Sequence, residues 1–127
     1  MTIIELADEK TPDNASDKEE LQIKDKEGEK ILAQVKEGAY VVALALDGKM
    51  ITSEELAGFM SERALRGDSH IVFIIGGSLG LSQEVLTRAN YKLCFSKMTF
   101  PHQLFRVMLL EQVYRAYRIN NNEPYHK

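Results

Sequence analysis

Ile71-Val72-Phe73-Ile74-Ile75-Gly76-Gly77-Ser78-Leu79-Gly80-Leu81-Ser82 is the stretch on which the fold turns. Its first five residues are apolar with no polar alternation, the pattern of a strand buried on both faces. Glycines end the run, and Ser82 to Arg88 reads as a short helix. Upstream, Tyr40-Val41-Val42-Ala43-Leu44-Ala45-Leu46 is a second run of this kind, which Asp47-Gly48 is expected to stop. Between the two, Thr52-x-x-Glu55 has capping-box spacing and opens a helix to about Arg66, closed by Gly67-Asp68. Ser16-x-x-Glu19 opens an earlier helix reaching about Val35, its apolar positions Leu21, Ile31, Leu32 and Val35 sparse among charges. Thr2 to Leu6 reads as a short strand before it. Downstream, Tyr91 to Phe95 supplies a further strand, and Pro101 suits the first turn of a last helix reaching about Arg118.

Alternating helices and fully apolar strands predict an α/β fold, a mostly parallel sheet with helices on both faces. At 127 residues the chain suits one domain, residues 1–127, and 44% hydrophobic with 28% charged residues excludes general disorder. The last helix carries Leu104, Phe105, Val107, Met108, Leu109, Leu110, Val113, Tyr114 and Tyr117 around most of its circumference. A small domain cannot enclose such a helix, so part of this surface is expected to meet another subunit.

The net charge of −3 hides an asymmetry. Residues 1–87 hold 17 acids against 9 bases, whereas residues 88–127 hold 2 acids, Glu111 and Glu123, against 7 bases. A positive carboxy-terminal face on an acidic protein can steer a phosphate-bearing partner, although a solvated basic helix face would give the same count. Cys94 stands alone beside Leu93 and Phe95, which suits packing in a strand and a reducing compartment rather than a disulfide or catalytic thiol. One Cys and three scattered His form no metal motif. The amino terminus lacks a signal-peptide pattern, and no apolar run is long enough to span a membrane.

Three constellations carry chemistry. Gly76-x-Ser78-x-Gly80 between strand and helix matches the nucleophile elbow of hydrolases, with Ser78 as nucleophile and only Glu84, Glu111 or Glu123 after it as orienting acids. The same glycines would also let a flat ligand approach the backbone at a strand's carboxyl end, and a plain tight turn remains open. A nucleotide-triphosphate loop does not fit, because no Gly-Lys-Ser/Thr ending is present. His102 at a helix start is favoured as a neutral ring by the helix dipole, and His126 lies in a tail, Glu123-Pro124-Tyr125-His126-Lys127, dense in reactive groups.

The segments Gly76-Gly77-Ser78-Leu79-Gly80-Leu81, Phe95-Ser96-Lys97-Met98-Thr99-Phe100-Pro101-His102-Gln103, Glu111-Gln112-Val113-Tyr114-Arg115-Ala116 and Pro124-Tyr125-His126-Lys127 together resemble the RlmH family. These are bacterial large-subunit ribosomal RNA methyltransferases acting on N3 of a pseudouridine, within the SPOUT class of α/β-knot methyltransferases. The resemblance covers nearly the whole chain and is most specific in its final third. It implies a carboxy-terminal trefoil knot, S-adenosylmethionine bound in a bent shape, a homodimer, and 23S ribosomal RNA in the assembled ribosome as substrate. Carried over by motif, the donor site falls on Leu44, Gly76, Phe95, Ser96, Lys97, Met98, Thr99 and Phe100. The strand and helix that usually open the family are expected to be missing, since Met1 falls where the family enters a later strand.

For that chemistry, His102 or His126 would accept the N3 proton, with Arg106 in the reacting centre. Arg106, Arg115, Arg118 and Lys127 would hold phosphates, and Tyr125 would stack on a base. No metal and no membrane are expected, and the location expected is cytoplasmic. The rival of a different class is a non-catalytic RNA- or ribosome-binding protein of the same fold.

Overall fold

The structure is a computed structural model and describes residues 2–6, 11–68, 70–77 and 79–127. In chain order the elements are α1 (Asp17–Ala33), β1 (Tyr40–Lys49), α2 (Ser53–Leu65), β2 (Ile71–Ile74), α3 (Gln83–Arg88), β3 (Tyr91–Leu93) and α4 (His102–Asn120). The three strands form one sheet in the order β2-β1-β3, with both pairings parallel. β1 is therefore central, which explains its apolar run: Val41, Val42 and Ala43 are at most 1% exposed.

Parallel neighbours need a crossover, and here the two crossovers run in opposite directions across the sheet. Keeping both right-handed puts their helices on opposite faces. Accordingly α2 packs with α4 over one face, where Leu56, Ala57 and Met60 meet Leu109, Val113 and Ala116. On the other face α3 packs with α1, and Val85 joins Val41 and Ile74 beneath Ile31, Leu32 and Val35. The only buried residue of α1 is Gly28, where an added Cβ would lie 2.2 Å from Ser82 Oγ; the helices are close because the glycine is there.

Helix starts follow the sequence signals closely. Thr52 and Glu55 form a reciprocal capping box, Ser16 Oγ accepts from Glu19 N, and Ser82 Oγ accepts from Val85 N. Gly67 takes φ +88°, the left-handed turn that stops α2. Pro101 serves as N-cap of α4 rather than its first helical residue.

Three expectations need correction. Thr2 to Leu6 forms no strand: Thr2 to Glu5 are exposed, Leu6 is half-buried, and none of the three sheet strands pairs with them. The strand at Tyr91 ends at Leu93, two residues short of Phe95, although Cys94 N still donates to Lys49 O at 3.0 Å. Asp47-Gly48 does not stop β1: the strand kinks between Leu44 and Lys49, and both residues pair with Leu93. Gly48 permits this return, since a Cβ there would sit 2.8 Å from the backbone carbonyl carbons of Leu93 and Lys92.

Candidate functional site

Because the strands are parallel, their carboxyl ends and the loops that follow lie along one edge, the usual place for ligands in open α/β sheets. That edge gathers Leu44 from β1, Gly76 and Gly77 after β2, and Phe95 after β3. Beside it opens a cleft of about 380 Å³ between the start of α2 (Thr52, Ser53, Leu56), Leu93 and Phe95, and α4 (Val107, Met108, Glu111, Gln112). Its walls are largely apolar, and Ser53 Oγ donates to Gln112 Oε1 at 2.7 Å across it. A wider groove, about 610 Å³, lies between α1 and α3 against Leu32, Val35 and Arg88; of the candidate residues it is lined by Glu84, and by none of the donor-site or RNA-contact residues.

The structure sorts the donor-site residues. Phe95 lines the cleft, and Leu44 packs against the same core cluster. The loop after Phe95 is held by its own bonds: Ser96 Oγ accepts from Met98 N at 3.0 Å and Cys94 Sγ lies 3.2 Å from Ser96 O. Lys97, Met98 and Thr99 are exposed, and Phe100 packs edge-on to Phe105 with ring centroids 5.5 Å apart. Gly76 serves the loop itself, because an added Cβ would meet Gly80 C at 2.9 Å. Gly80, at φ +82°, also requires glycine. Ser78 lies outside the described residues. Two of the acids that a hydrolase reading would need are committed elsewhere, Glu111 to Arg115 and Glu123 to Arg118.

The tail is folded back rather than frayed. Asn122 adopts φ +54°, a conformation asparagine tolerates, and Glu123 N returns to Arg118 O at 2.8 Å. Tyr125 then lies edge-on to Tyr114 at 4.9 Å, under the Arg115 guanidinium at 4.9 Å, with its hydroxyl donating to Glu111 Oε1 at 3.3 Å. Glu111 also accepts from Arg115 Nε at 2.9 Å and Nη2 at 2.5 Å, and from Gln112 Nε2 at 3.0 Å. His126 Nδ1 faces Arg115 Nη1 at 2.9 Å, and its Nε2 meets Glu54 Oε1 in the first turn of α2.

Hydrogen bonds from Arg115 above all hold the Glu111 carboxyl below its ordinary value of 4.5, and the bond from His126 does the same for Glu54. A carboxylate with a depressed pKa gives support that is complete above its ordinary value and is lost as pH falls through the lower folded value. Acidification below the ordinary carboxylate range should therefore release the tail before the core opens. Tyr125 fluorescence and amide exchange at Glu123, Tyr125 and His126 should show this, and Glu111→Gln together with Glu54→Gln should abolish the acid-dependent step.

Arg115, Tyr125 and His126 thus share one cluster beside the cleft. His102 does not join it: it is exposed at the start of α4, about 20 Å along the helix axis from Arg115. Arg106 pairs with Glu5 at 3.1 Å, Arg118 pairs with Glu123 and lies 5.7 Å from the Tyr114 ring centroid, and Lys127 is exposed. The residues that sequence reading missed are Glu54, Ser53 and Gln112. Glu54 stands inside a capping box, and nothing local signals its contact with a residue 72 positions away.

Comparison with known proteins gives a consistent result. The profile of the family described as predicted SPOUT methyltransferases matches residues 1–126. The chain is 68% identical over all 127 residues to a protein of Clostridium botulinum (strain Alaska E43 / Type E3) named ribosomal RNA large subunit methyltransferase H, covering 80% of that protein. Proteins of the same name from Clostridium novyi (strain NT) and Clostridium tetani (strain Massachusetts / E88) are 69% and 64% identical, again over the whole chain and 80% of each relative.

Proposed function

The chain belongs to the SPOUT methyltransferase family, and from that premise we propose that it transfers a methyl group from S-adenosylmethionine to N3 of a pseudouridine in 23S ribosomal RNA of the assembled ribosome. The observation that carries this reading is the convergence of Leu44, at the kink of β1, with Gly76 and Phe95, just past the carboxyl ends of β2 and β3, beside a largely apolar cleft of about 380 Å³. That volume falls within the range of small-molecule sites, roughly 300–1,000 Å³, and the mix of apolar wall and few polar groups fits a nucleoside bearing a short aliphatic arm. Leu44, Gly76 and the loop Phe95–Phe100 would hold the donor, with Ser53 and Gln112 offering polar contacts. When bound, the sulfonium supplies an electrophilic methyl group, and the electron pair of the broken carbon–sulfur bond stays on sulfur.

The chain's own groups handle the base. An imide nitrogen must lose its proton to become a nucleophile, and His126 is the acceptor, being the imidazole beside the cleft. His102 and Arg106 would contact RNA farther along α4. Arg115, Arg118 and Lys127 contact phosphates, and Tyr125 offers a ring face. Each of the three α4 arginines is neutralised by a carboxylate of the chain, so RNA phosphate exchanges with Glu5, Glu111 or Glu123 rather than meeting a bare cation.

The full reading is one domain carrying a carboxy-terminal trefoil knot, acting as a cytoplasmic homodimer. No helix among the described residues is long and apolar enough to cross a membrane. Along α4, Leu104, Val107, Tyr114 and Tyr117 form an exposed stripe at helical spacing, opposite the buried Leu109, Val113 and Ala116. This stripe is the dimer surface. Val107→Glu with Tyr117→Glu should convert a dimer to a monomer in sedimentation velocity, with unfolding still cooperative.

Incubation of large subunits lacking the modification with labelled S-adenosylmethionine tests the reaction, with mass spectrometry locating the methyl group. Calorimetry should show saturable donor binding, weakened at least about tenfold by Met108→Trp, which fills the cleft from α4. Gly76→Val is a poor probe, since it would break the loop rather than block the cleft. RNA binding without methyl transfer would favour the non-catalytic rival.

A further inference from the structure

The tail imidazole has neighbours that fix its protonation geometry. Arg115 Nη1 lies 2.9 Å from His126 Nδ1, and a guanidinium has donors only. Nδ1 must therefore be the proton-free acceptor. The neutral ring then carries its proton on Nε2, where it donates to Glu54 Oε1. A doubly protonated ring could not keep both contacts, because Nδ1–H would face another N–H. The charged and titratable groups around the ring are Glu54 from α2 and, from α4, Arg115 with its counter-ion Glu111; Tyr125 and Lys127 flank it in the tail.

Resting on the methyltransferase reading above, we propose that Glu54 is the positioning residue for proton acceptance: it holds His126 Nε2–H, so that Nδ1 is the nitrogen that receives the proton of the target base. Glu54 suits the role because it sits in the first turn of a rigid, capped helix bordering the cleft, between cleft-lining Ser53 and the core residue Leu56. Arg115 marks the direction of approach, its Nη1–H occupying the place from which a substrate N–H would donate. An RNA phosphate competes for that guanidinium and frees Nδ1. The proton then passes from N3–H to Nδ1, and the imidazolium so formed keeps Nε2–H on the Glu54 carboxylate. Opposite charge beside the ring stabilises this product of proton transfer. The proton leaves to water after the methylated base departs.

The test uses the full chain with three variants, Glu54→Gln, Glu54→Asp and Glu54→Ala. Nitrogen-15 NMR of the imidazoles should show a single Nε2–H tautomer for His126 in the wild type and a mixture in Glu54→Ala. In transfer assays Glu54→Gln, which keeps an accepting oxygen but no charge, should move the acid limb of the kcat/KM profile down by about one pH unit. Glu54→Ala should lose roughly a hundredfold in kcat with unchanged KM for the donor, and Glu54→Asp should recover part of it. The proposal is overturned if His126 carries its proton on Nδ1, or if the tautomer and acid limb are unmoved by these variants. Loss of activity with an unmoved acid limb would also overturn it, leaving Glu54 as a pin for the tail. A wild type that methylates no ribosomal RNA would sink the functional reading instead, and the tautomer measurement would still decide what Glu54 does.

Discussion

Replacing His126 with alanine should lower the single-turnover methyl-transfer rate on large ribosomal subunits by about a hundredfold to ten-thousandfold, the range for loss of a positioned general base. The donor's dissociation constant should hardly change, because the ring contacts Arg115 and Glu54 rather than the cleft wall. Stability should hold too, since the tail packs on the outside of α4 and contributes no residue to the buried clusters. If proton removal is the step lost, the deficit should shrink as pH rises and water-borne base takes over. His102→Ala is the companion: lying about 20 Å along α4 from the cluster, it should lower RNA affinity modestly and leave the single-turnover rate at saturating subunits intact. A reversed pattern, with His102→Ala the slow variant, would move the proton acceptor to the other end of α4.

Gly48→Ala should be among the most destabilising single-methyl changes in the chain. The added carbon would lie 2.8 Å from two backbone carbonyl carbons and 2.9 Å from Leu93 N, all of them in β3 rather than at the end of a flexible side chain. Relief requires pulling the return of β1 away from β3, which breaks the bond from Cys94 N to Lys49 O at 3.0 Å. The cost expected is about 3 kcal/mol, at the upper end for overpacking a tight site. That would consume a large fraction of a typical domain's stability. Chemical denaturation should show the midpoint fall with an unchanged slope. Donor affinity should fall as well, because Leu93 and Phe95 carry the cleft wall that depends on this pairing. A midpoint within experimental error of the wild type would mean that β1 does not return against β3 as described.

The two sites differ in how legible they were. His126 stood out in the sequence because five consecutive tail residues carry four kinds of reactive group, yet its partners did not. Glu54 drew no reading of its own, since Thr52 and Glu55 on either side of it satisfy the capping motif completely. Gly48 was read as a strand terminator, because Asp-Gly usually marks a turn. Here the missing Cβ lets the strand pass against a neighbouring backbone instead, and no local pattern distinguishes the two uses.

What the sequence determined by itself was local: the capped starts of α1 and α2, the short helix α3 after the glycine loop, the fully apolar runs of β1 and β2, and the excess of apolar surface on α4. These follow from hydrogen bonds and side-chain periodicity within a few residues, which the chain carries wherever it goes. Family membership was legible for the same reason, since motifs are contiguous. What tertiary structure alone decided was which distant groups meet. Glu54 faces His126, Glu5 pairs with Arg106, and Leu44 and Lys49 both return to Leu93, each set by the order in which three parallel strands are laid side by side and by the turn at Asn122. Such pairings depend on strand order and helix packing, quantities summed over the whole chain, and no short stretch of residues encodes them.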